Sequence, residues 1–318
     1  MSSSFIRQVR VAFPNAKIDF VIKEQYQDII KINPHINKTH IVKPELGIKG
    51  LLELRRRLKS GSYTHIFDLH NNMRTRLLTF FLKPKTKGRI KKDKFNRFLL
   101  VFFKLNRYKE ITPISLRYLN TARQASVADD GYGLEIFWRD FHEKRINSLF
   151  PKLNQAGSFI VVAPGATAYT KRWPLENFSL LIRELLQKGE RIVLLGGKEN
   201  IDQFSGLVHT ERVINLVGKT SILETAIIIN RAKVMISNDS GLMHMSTAVK
   251  TPVLAVFGST VKELGFYPWR SKNIVVENLN AQCRPCSHVG KKKCPKKHFK
   301  CMMEITPQMV LDRLQELL

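Results

Sequence analysis

From Ser158 onward, apolar runs and amphipathic stretches alternate too regularly to leave many folds open. "FIVVAPG" has the length and β-branched content of a buried strand. Residues 174–188 follow as a helix, with Pro174 in the first turn and Gly189 as the stop. "RIVLLGG", "VINLVGK", "KVMIS" and "VLAVFGST" are further strands; Ser221 to Arg231 and Leu242 to Val249 are further helices. Strands that are apolar throughout, rather than at every second residue, are covered on both faces, so this half predicts an α/β, doubly wound parallel sheet. Ligands of such sheets sit at the carboxyl ends of the strands. The polar exits "GATAYTKRW", "GGKEN", "GKTS", "NDSG" and "GST" all collect along that edge.

The first half has the same rhythm: "IDFVIK" and "THIFDLH" are strands on either side of a Leu/Arg-rich helical stretch from Ile48 to Lys59. Length allows two domains, placed at residues 1–153 and 154–305, followed by a terminal helix at 306–318 with Thr306 as N-cap and Pro307 in its first turn. No apolar stretch reaches the roughly 18 residues of a spanning helix, and "MSSSFIRQVR" lacks the apolar core of a secretory signal; a cytoplasmic protein is expected.

The 53 Lys and Arg against 26 Asp and Glu, a net charge of +27, call for a polyanionic neighbour: nucleic acid, an acidic membrane face or a phosphorylated substrate. Between Lys83 and Lys109, eleven cations and one acid, Asp93, interleave with Phe95, Phe98, Phe102 and Phe103. The expected form is an amphipathic helix with its Phe side chains packed inward and its cations outward, toward water or phosphate. No helix-turn-helix or paired aromatic RNA-binding motif accompanies it, so nucleic acid is not an expected partner.

Candidate site residues lie on the strand exits. In "SNDSGLMH" a Gly-containing turn opens a helix, which aims unpaired N–H groups and the positive dipole end at a phosphate, with Ser240 and Gly241 placed for it. Asp239 would repel phosphate and suits sugar hydroxyls instead. His244, one turn on, could donate to either. Ordinary capping, with His244 as a core residue, explains the same stretch equally well. Thr167, Lys171 and Arg172 leave the first strand of this half, where a Lys can neutralise a pyrophosphate and stabilise a departing nucleotide diphosphate. Glu199, past two glycines, stands where an acid takes a ribose diol. In the first half, Asp68, His70, Arg74 and Arg76 follow a strand, and the arginines suit an anionic, carboxylate-bearing ligand.

"PGATAYTKRWPLENFSLLIRELLQKGERIVLLGGKEN", "NLVGKTSILETAIIINRAKVMISNDSGLMHMSTAVKTPVLAVFGST" and the terminal cysteine-rich segment resemble the glycosyltransferase family that contains the ADP-heptose:lipopolysaccharide heptosyltransferases. The resemblance spans residues 5 to 318 and is most specific from Pro164 to Thr260. It implies a GT-B architecture: two Rossmann-like domains facing a cleft, the donor in the C-terminal one and the acceptor in the N-terminal one. It implies metal-independent, inverting transfer of heptose from ADP-heptose, or a related sugar nucleotide, to an anionic Kdo-lipid A-type acceptor. The protein would then be peripheral at the cytoplasmic face of the inner membrane. By position, Thr167 and Lys171 match phosphate contacts, Glu199 the ribose acid and Thr220 the adenine pocket. Asp239, Ser240, Gly241 and His244 match the motif that holds heptose and diphosphate. Asp68, His70, Arg74 and Arg76 are the acceptor candidates. No cofactor or catalytic metal is implied.

The sequence departs from the family in one respect: it starts at the helix "FIRQVRVAF", without the preceding strand and Gly-Asp loop that carries the family's general base. The N-terminal domain is therefore expected to be incomplete, and the chain as written to bind ADP-sugar but turn it over poorly. A catalytically impaired paralogue, or a basic nucleic-acid-binding protein, are the competing readings. Cys283, Cys286, Cys294 and Cys301 are spaced C-x2-C-x7-C-x6-C. The first pair is a good zinc half-site, but the second is too wide for a ribbon; a structural metal and paired or free thiols are both open.

Overall fold

The computed structural model describes residues 1–155, 157–208 and 210–318. The chain divides into two compact units, Met1–Asp93 with Ile114–Tyr132, and Lys94–Pro113 with Gly133–Leu318.

In the first unit α1 (Ser3–Ala12) buries Phe5, Ile6 and Val9 against Ile30, Leu119, Ala122 and Val127, and Phe5 meets Phe67 edge-on at 5.7 Å. β1 (Asp19–Lys23) pairs in parallel with β2 (Lys38–Val42). In α2 (Gly47–Lys59) the leucines at 51, 54 and 58 fall on one face by helical spacing and pack on Leu78 of α3 (Met73–Thr79). β3 (His65–Asp68) pairs in parallel with β4 (Thr86–Arg89). Among the described residues the two pairs remain separate two-stranded sheets. β2 and β4 carry no apolar run ("KTHIV", "TKGR"), which is why only their partners are visible in the sequence.

The basic aromatic stretch corrects the expectation of an inward-facing Phe stripe. Its α-helical part is only Lys94–Phe98; a π-helical turn, Leu99–Phe103, continues it and ends at Lys104 with φ +61°. Leu100 is buried, but Phe95, Phe98, Phe102 and Phe103 are 67%, 47%, 70% and 60% exposed. A segment this short, with its register shifted by the π-turn, offers one apolar contact and turns its rings outward. Polar contacts fasten its end: Lys104 Nζ donates to Pro285 O at 2.7 Å and Asn106 Nδ2 to Glu263 Oε1 at 3.1 Å.

The second unit holds a six-stranded, all-parallel sheet built from β5 (Ile160–Ala163), β6 (Ile192–Leu194), β7 (Val213–Asn215), β8 (Val234–Asn238), β9 (Val253–Phe257) and β10 (Asn273–Glu277). Its order is β10-β9-β8-β5-β6-β7. Alternate residues of each strand enter two different cores, as a pleat requires. Ile160, Val162, Val234, Ile236, Leu254 and Val256 face one side, where they meet Phe178, Leu181 and Leu185 of α4 (Leu175–Gln187). Val161, Ala163, Met235, Val253, Ala255 and Phe257 face the other, where they meet α5 (Ile222–Asn230) and Met243 of α6 (Gly241–Ala248). Helix Asp140–Leu149 contributes Ile146 to that second core, which is why Ile227, Ile228 and Ile229 can all be buried on one helix. The terminal helix, α7 (Pro307–Leu314), starts as expected, with Thr306 Oγ1 accepting from Met309 N at 3.2 Å; it seats Val310, Leu311 and Leu314 in the first core.

Candidate active site

The chain runs from β5 to β6 and β7 in one direction and from β8 to β9 and β10 in the other, so the strand order reverses between β5 and β8. This is the switch point at which a doubly wound sheet opens a crevice for ligand. The two strand exits there are laced together by one side chain: Asn238 Nδ2 donates to Pro164 O at 2.6 Å while its Oδ1 accepts from Trp173 N at 3.0 Å. The lacing fixes the turn Tyr169–Lys171, and with it the lysine.

Lys171 Nζ lies 2.7 Å from Asp239 Oδ2, and Thr260 Oγ1 donates to the same oxygen at 2.7 Å. The lysine side chain is 14% exposed and the aspartate 4%. A cation and a carboxylate this dry are mutually dependent, since either alone would be an unpaired buried charge. Next along, Ser240 Oγ contacts Ser237 Oγ at 3.0 Å and caps α6 by accepting from Met243 N at 3.4 Å. Gly241, exposed, opens the helix. His244 is half-buried one turn in; chiefly through burial, with the Lys171 cation adding to it, its imidazole is pushed well below its ordinary value, so it is neutral at pH 7. The capping reading and the ligand reading of "SNDSG" are thus compatible, because Ser240 caps the helix through its side chain.

The remaining donor-side candidates stand at separate exits of the same edge. Thr167 is exposed after β5. Glu199 is exposed in the turn Lys198–Asn200 after β6. Thr220 follows β7, with its Oγ1 2.8 Å from Thr225 Oγ1. Arg172 is turned to structure, its Nε donating to Ala166 O at 2.7 Å. In the first unit Asp68 is buried and committed: it accepts from His70 N (3.0 Å), Asn71 N (2.7 Å) and Thr75 Oγ1 (2.8 Å). His70, Arg74 and Arg76 are exposed, and Arg76 Nε donates to Asn71 Oδ1 at 3.1 Å. Thr260 was legible only as part of the polar exit "GST", and Asn238 only as part of "SNDSG". Gly290, at φ +91°, had no signal at all: a Cβ there would stand 2.4 Å from Ala168 Cβ and 3.2 Å from Lys171 Cγ.

The family model described as glycosyltransferase family 9 (heptosyltransferase) matches residues 51–298. The chain belongs to glycosyltransferase family 9. Among curated relatives of this family, lipooligosaccharide heptosyltransferase 2 of Haemophilus influenzae is 26% identical over 340 residues, covering 100% of this chain and 95% of the relative. Lipopolysaccharide heptosyltransferase 2 of Escherichia coli K12 is 25% identical, with 100% and 94% covered. A solved family 9 glycosyltransferase from Veillonella parvula superposes with a TM-score of 0.81 at 23% identity over 99% of this chain and 92% of that one. The E. coli ADP-heptose LPS heptosyltransferase II does so with 0.71 at 21% identity, over 99% and 93%. This family 9 chain is therefore a glycosyltransferase, and its α/β fold with parallel sheets is the GT-B fold of those structures.

Proposed function

We propose that this glycosyltransferase moves a heptose from ADP-heptose onto an anionic Kdo-lipid A-type acceptor of the lipopolysaccharide inner core, with inversion and without a metal ion in the chemical step. The observation that carries the reading is the buried Lys171–Asp239–Thr260 group at the switch point of the second sheet. In an inverting transfer an acceptor hydroxyl oxygen attacks the anomeric carbon from the face opposite the diphosphate and gives up its proton to solvent. The carbon–oxygen bond to phosphate breaks, and ADP leaves with the electron pair. Lys171 supplies the positive charge at the leaving diphosphate that a divalent ion supplies in other transferases. The amides of Ser240 and Gly241 at the N-terminus of α6 hold the same phosphates, Asp239 accepts from sugar hydroxyls, and His244, neutral, donates to sugar or phosphate. Thr167 contacts phosphate, Glu199 the ribose, and Thr220 lines the adenine site. The exposed Arg74 and Arg76, with His70, take acceptor carboxylates. Two family names support the donor: related solved structures are of an E. coli heptosyltransferase with ADP and with ADP-2-deoxy-2-fluoro heptose.

Calorimetric titration with ADP-heptose, UDP-sugars and GDP-sugars, repeated on Asp239→Ala, tests this. Selective ADP-heptose binding that is lost in the variant is expected; equal binding of all three donors, or binding indifferent to Asp239, would refute the donor assignment.

The same chain is proposed to work as a peripheral protein on the cytoplasmic face of an anionic membrane. No helix among the described residues is long and apolar enough to cross one. The exposed Phe95, Phe98, Phe102 and Phe103 stand among Lys94, Arg97 and Lys104, and an open pocket of about 230 Å³ is lined by Lys94, Arg97, Phe98, Val101, Phe102 and His288. Rings that enter the headgroup layer beside cations that meet lipid phosphates suit that location.

A second reading, donor binding with weak turnover, is favoured by the state of the first unit's carboxylates. Asp19 Oδ2 takes His40 Nε2 at 2.8 Å and Tyr63 Oη at 2.5 Å, Asp68 is committed as above, and Asp130 Oδ2 takes Arg7 Nε at 2.7 Å. None of these three stands ready to receive the acceptor proton. Tight ADP-heptose binding with transfer no faster than in Lys171→Ala would favour this reading over the first.

A further inference from the structure

All four cysteines of the chain, which serve no step above, line one small cavity. They arrive there from a long excursion after β10: Cys283 and Cys286, then Cys294, then Cys301 at the start of the short helix Lys300–Met303. The cavity measures about 10 Å³ and is bounded also by Thr170, Ser259, Arg284, Pro295, Lys296 and Phe299. That is room for about one water-sized body. The four thiols are free, so no disulfide explains their convergence.

From this convergence we infer that Cys283, Cys286, Cys294 and Cys301 form a tetrathiolate site for one thiophilic divalent ion, zinc or ferrous iron, that is structural and lies apart from the transferred sugar. Four thiolates at a single cavity match the tetrahedral demand of such ions and of no hard oxygen-seeking cation. A second observation points into the same space: Ser259 Oγ is fully buried, borders the cavity and has no hydrogen-bond partner. A bound thiolate gives that hydroxyl an acceptor, as groups around metal ligands commonly do. Charge also fits, because four thiolates and one divalent ion sum to two negative charges, and Arg284 and Lys296 border the cavity. On loading, the thiols release their protons to solvent as the sulfurs bond to the ion.

Neither nearby histidine lines the cavity. His298 Nδ1 accepts from Lys300 N at 3.0 Å, and His288 borders a different pocket. Among the described residues no three His, Cys, Asp or Glu side chains stand in ligating geometry, so the site we infer closes only as the four thiols turn about their Cα–Cβ bonds onto the ion.

The consequence reaches Lys171. Between Cys286 and Cys294 the chain presses Gly290 onto the lysine stem, and Lys291 N donates to Thr170 Oγ1 at 2.8 Å while Lys291 O accepts from Thr170 N at 3.1 Å. Arg284, between the first two cysteines, donates to Gly258 O and Thr260 O, beside the aspartate's partner. An ion that pins the four sulfurs pins this clamp; that clause alone rests on the donor reading above.

The test is metal analysis of the full chain, purified under reducing conditions without chelator, together with titration of the metal-stripped, reduced chain with Co²⁺. Expected are about one zinc or iron per chain and thiolate-to-cobalt charge-transfer absorption with the intense red d–d bands of tetrahedral sulfur coordination. Absence of both from a folded chain, or two disulfides by thiol counting in denaturant, would overturn the site. Cys283→Ser/Cys286→Ser should lose the cobalt spectrum; if that variant does not fold, the cobalt titration of the unmodified chain decides alone. Metal stoichiometry is independent of nucleotide. If the ion binds but its removal leaves ADP-heptose affinity unchanged, only the link to Lys171 falls.

Discussion

Asp239 holds Lys171 and Thr260 on one oxygen in a nearly dry place, so its removal strands a cation. Asp239→Ala is expected to lower stability by about 3 kcal/mol, the cost of breaking a buried pair from one side. Chemical denaturation should show the double variant Lys171→Met/Asp239→Ala regaining a large part of that loss, because the stranded charge is gone. His244 gives a pH signature. Its folded-state value is depressed, so below about 6.5 the unfolded chain binds a proton that the folded chain refuses. Stability contributed by the neutral ring is complete above that pH and falls as pH drops below it. Denaturation midpoints at pH 7 and pH 5 should differ less in His244→Gln than in the parent chain. At this scale the sequence named Lys171, Asp239, Ser240, Gly241 and His244 from turn chemistry, but it assigned the lysine to phosphate and the aspartate to sugar separately. That they hold each other, and that Thr260 joins them, depends on β5, β8 and β9 lying side by side, which strand order alone decides. Gly290 was invisible because its reason is a close approach from a segment about 120 residues away in sequence.

Elements were legible in proportion to how completely they are buried. β5, β6, β8 and β9 are buried along their whole length and read as continuous apolar runs; β10, with every second residue buried, was missed, as were the polar β2 and β4. Helix ends were legible through caps. Ser221 accepts from Glu224 N at 3.3 Å while Glu224 Oε2 accepts from Ser221 N at 2.8 Å, a reciprocal pair at the start of α5. Ser221→Ala is expected to cost about 1 kcal/mol, read as a lowered thermal midpoint. The loss is local to the cap, since Ile227 to Ile229 remain clamped between the sheet and helix Asp140–Leu149. The basic aromatic stretch failed as an element for a different reason: its cations and rings carry a helical period, but an amphipathic pattern says which residues share a face and not which face finds a partner.

For the whole molecule, +27 charges and a cluster of outward-facing rings suit an anionic surface. Co-sedimentation with vesicles containing anionic lipid should fall steeply as salt rises, while neutral vesicles should bind weakly at any salt. Phe102→Ser and Phe103→Ser are each expected to weaken the anionic binding roughly tenfold at constant salt, from the apolar area withheld from the bilayer. A basic surface alone would give the salt dependence without the ring dependence. The two compact units are each assembled from two stretches of sequence, and the main chain passes between them at 93/94, 113/114 and 132/133. Neither can be excised by one cut. A fragment starting at residue 133 keeps the six-stranded sheet but loses the Lys94–Pro113 segment and its anchor on Pro285, so deletion mapping on this chain would remove the basic aromatic surface and a domain in the same stroke. Protease nicking at a single junction should likewise leave a particle that migrates intact until it is denatured.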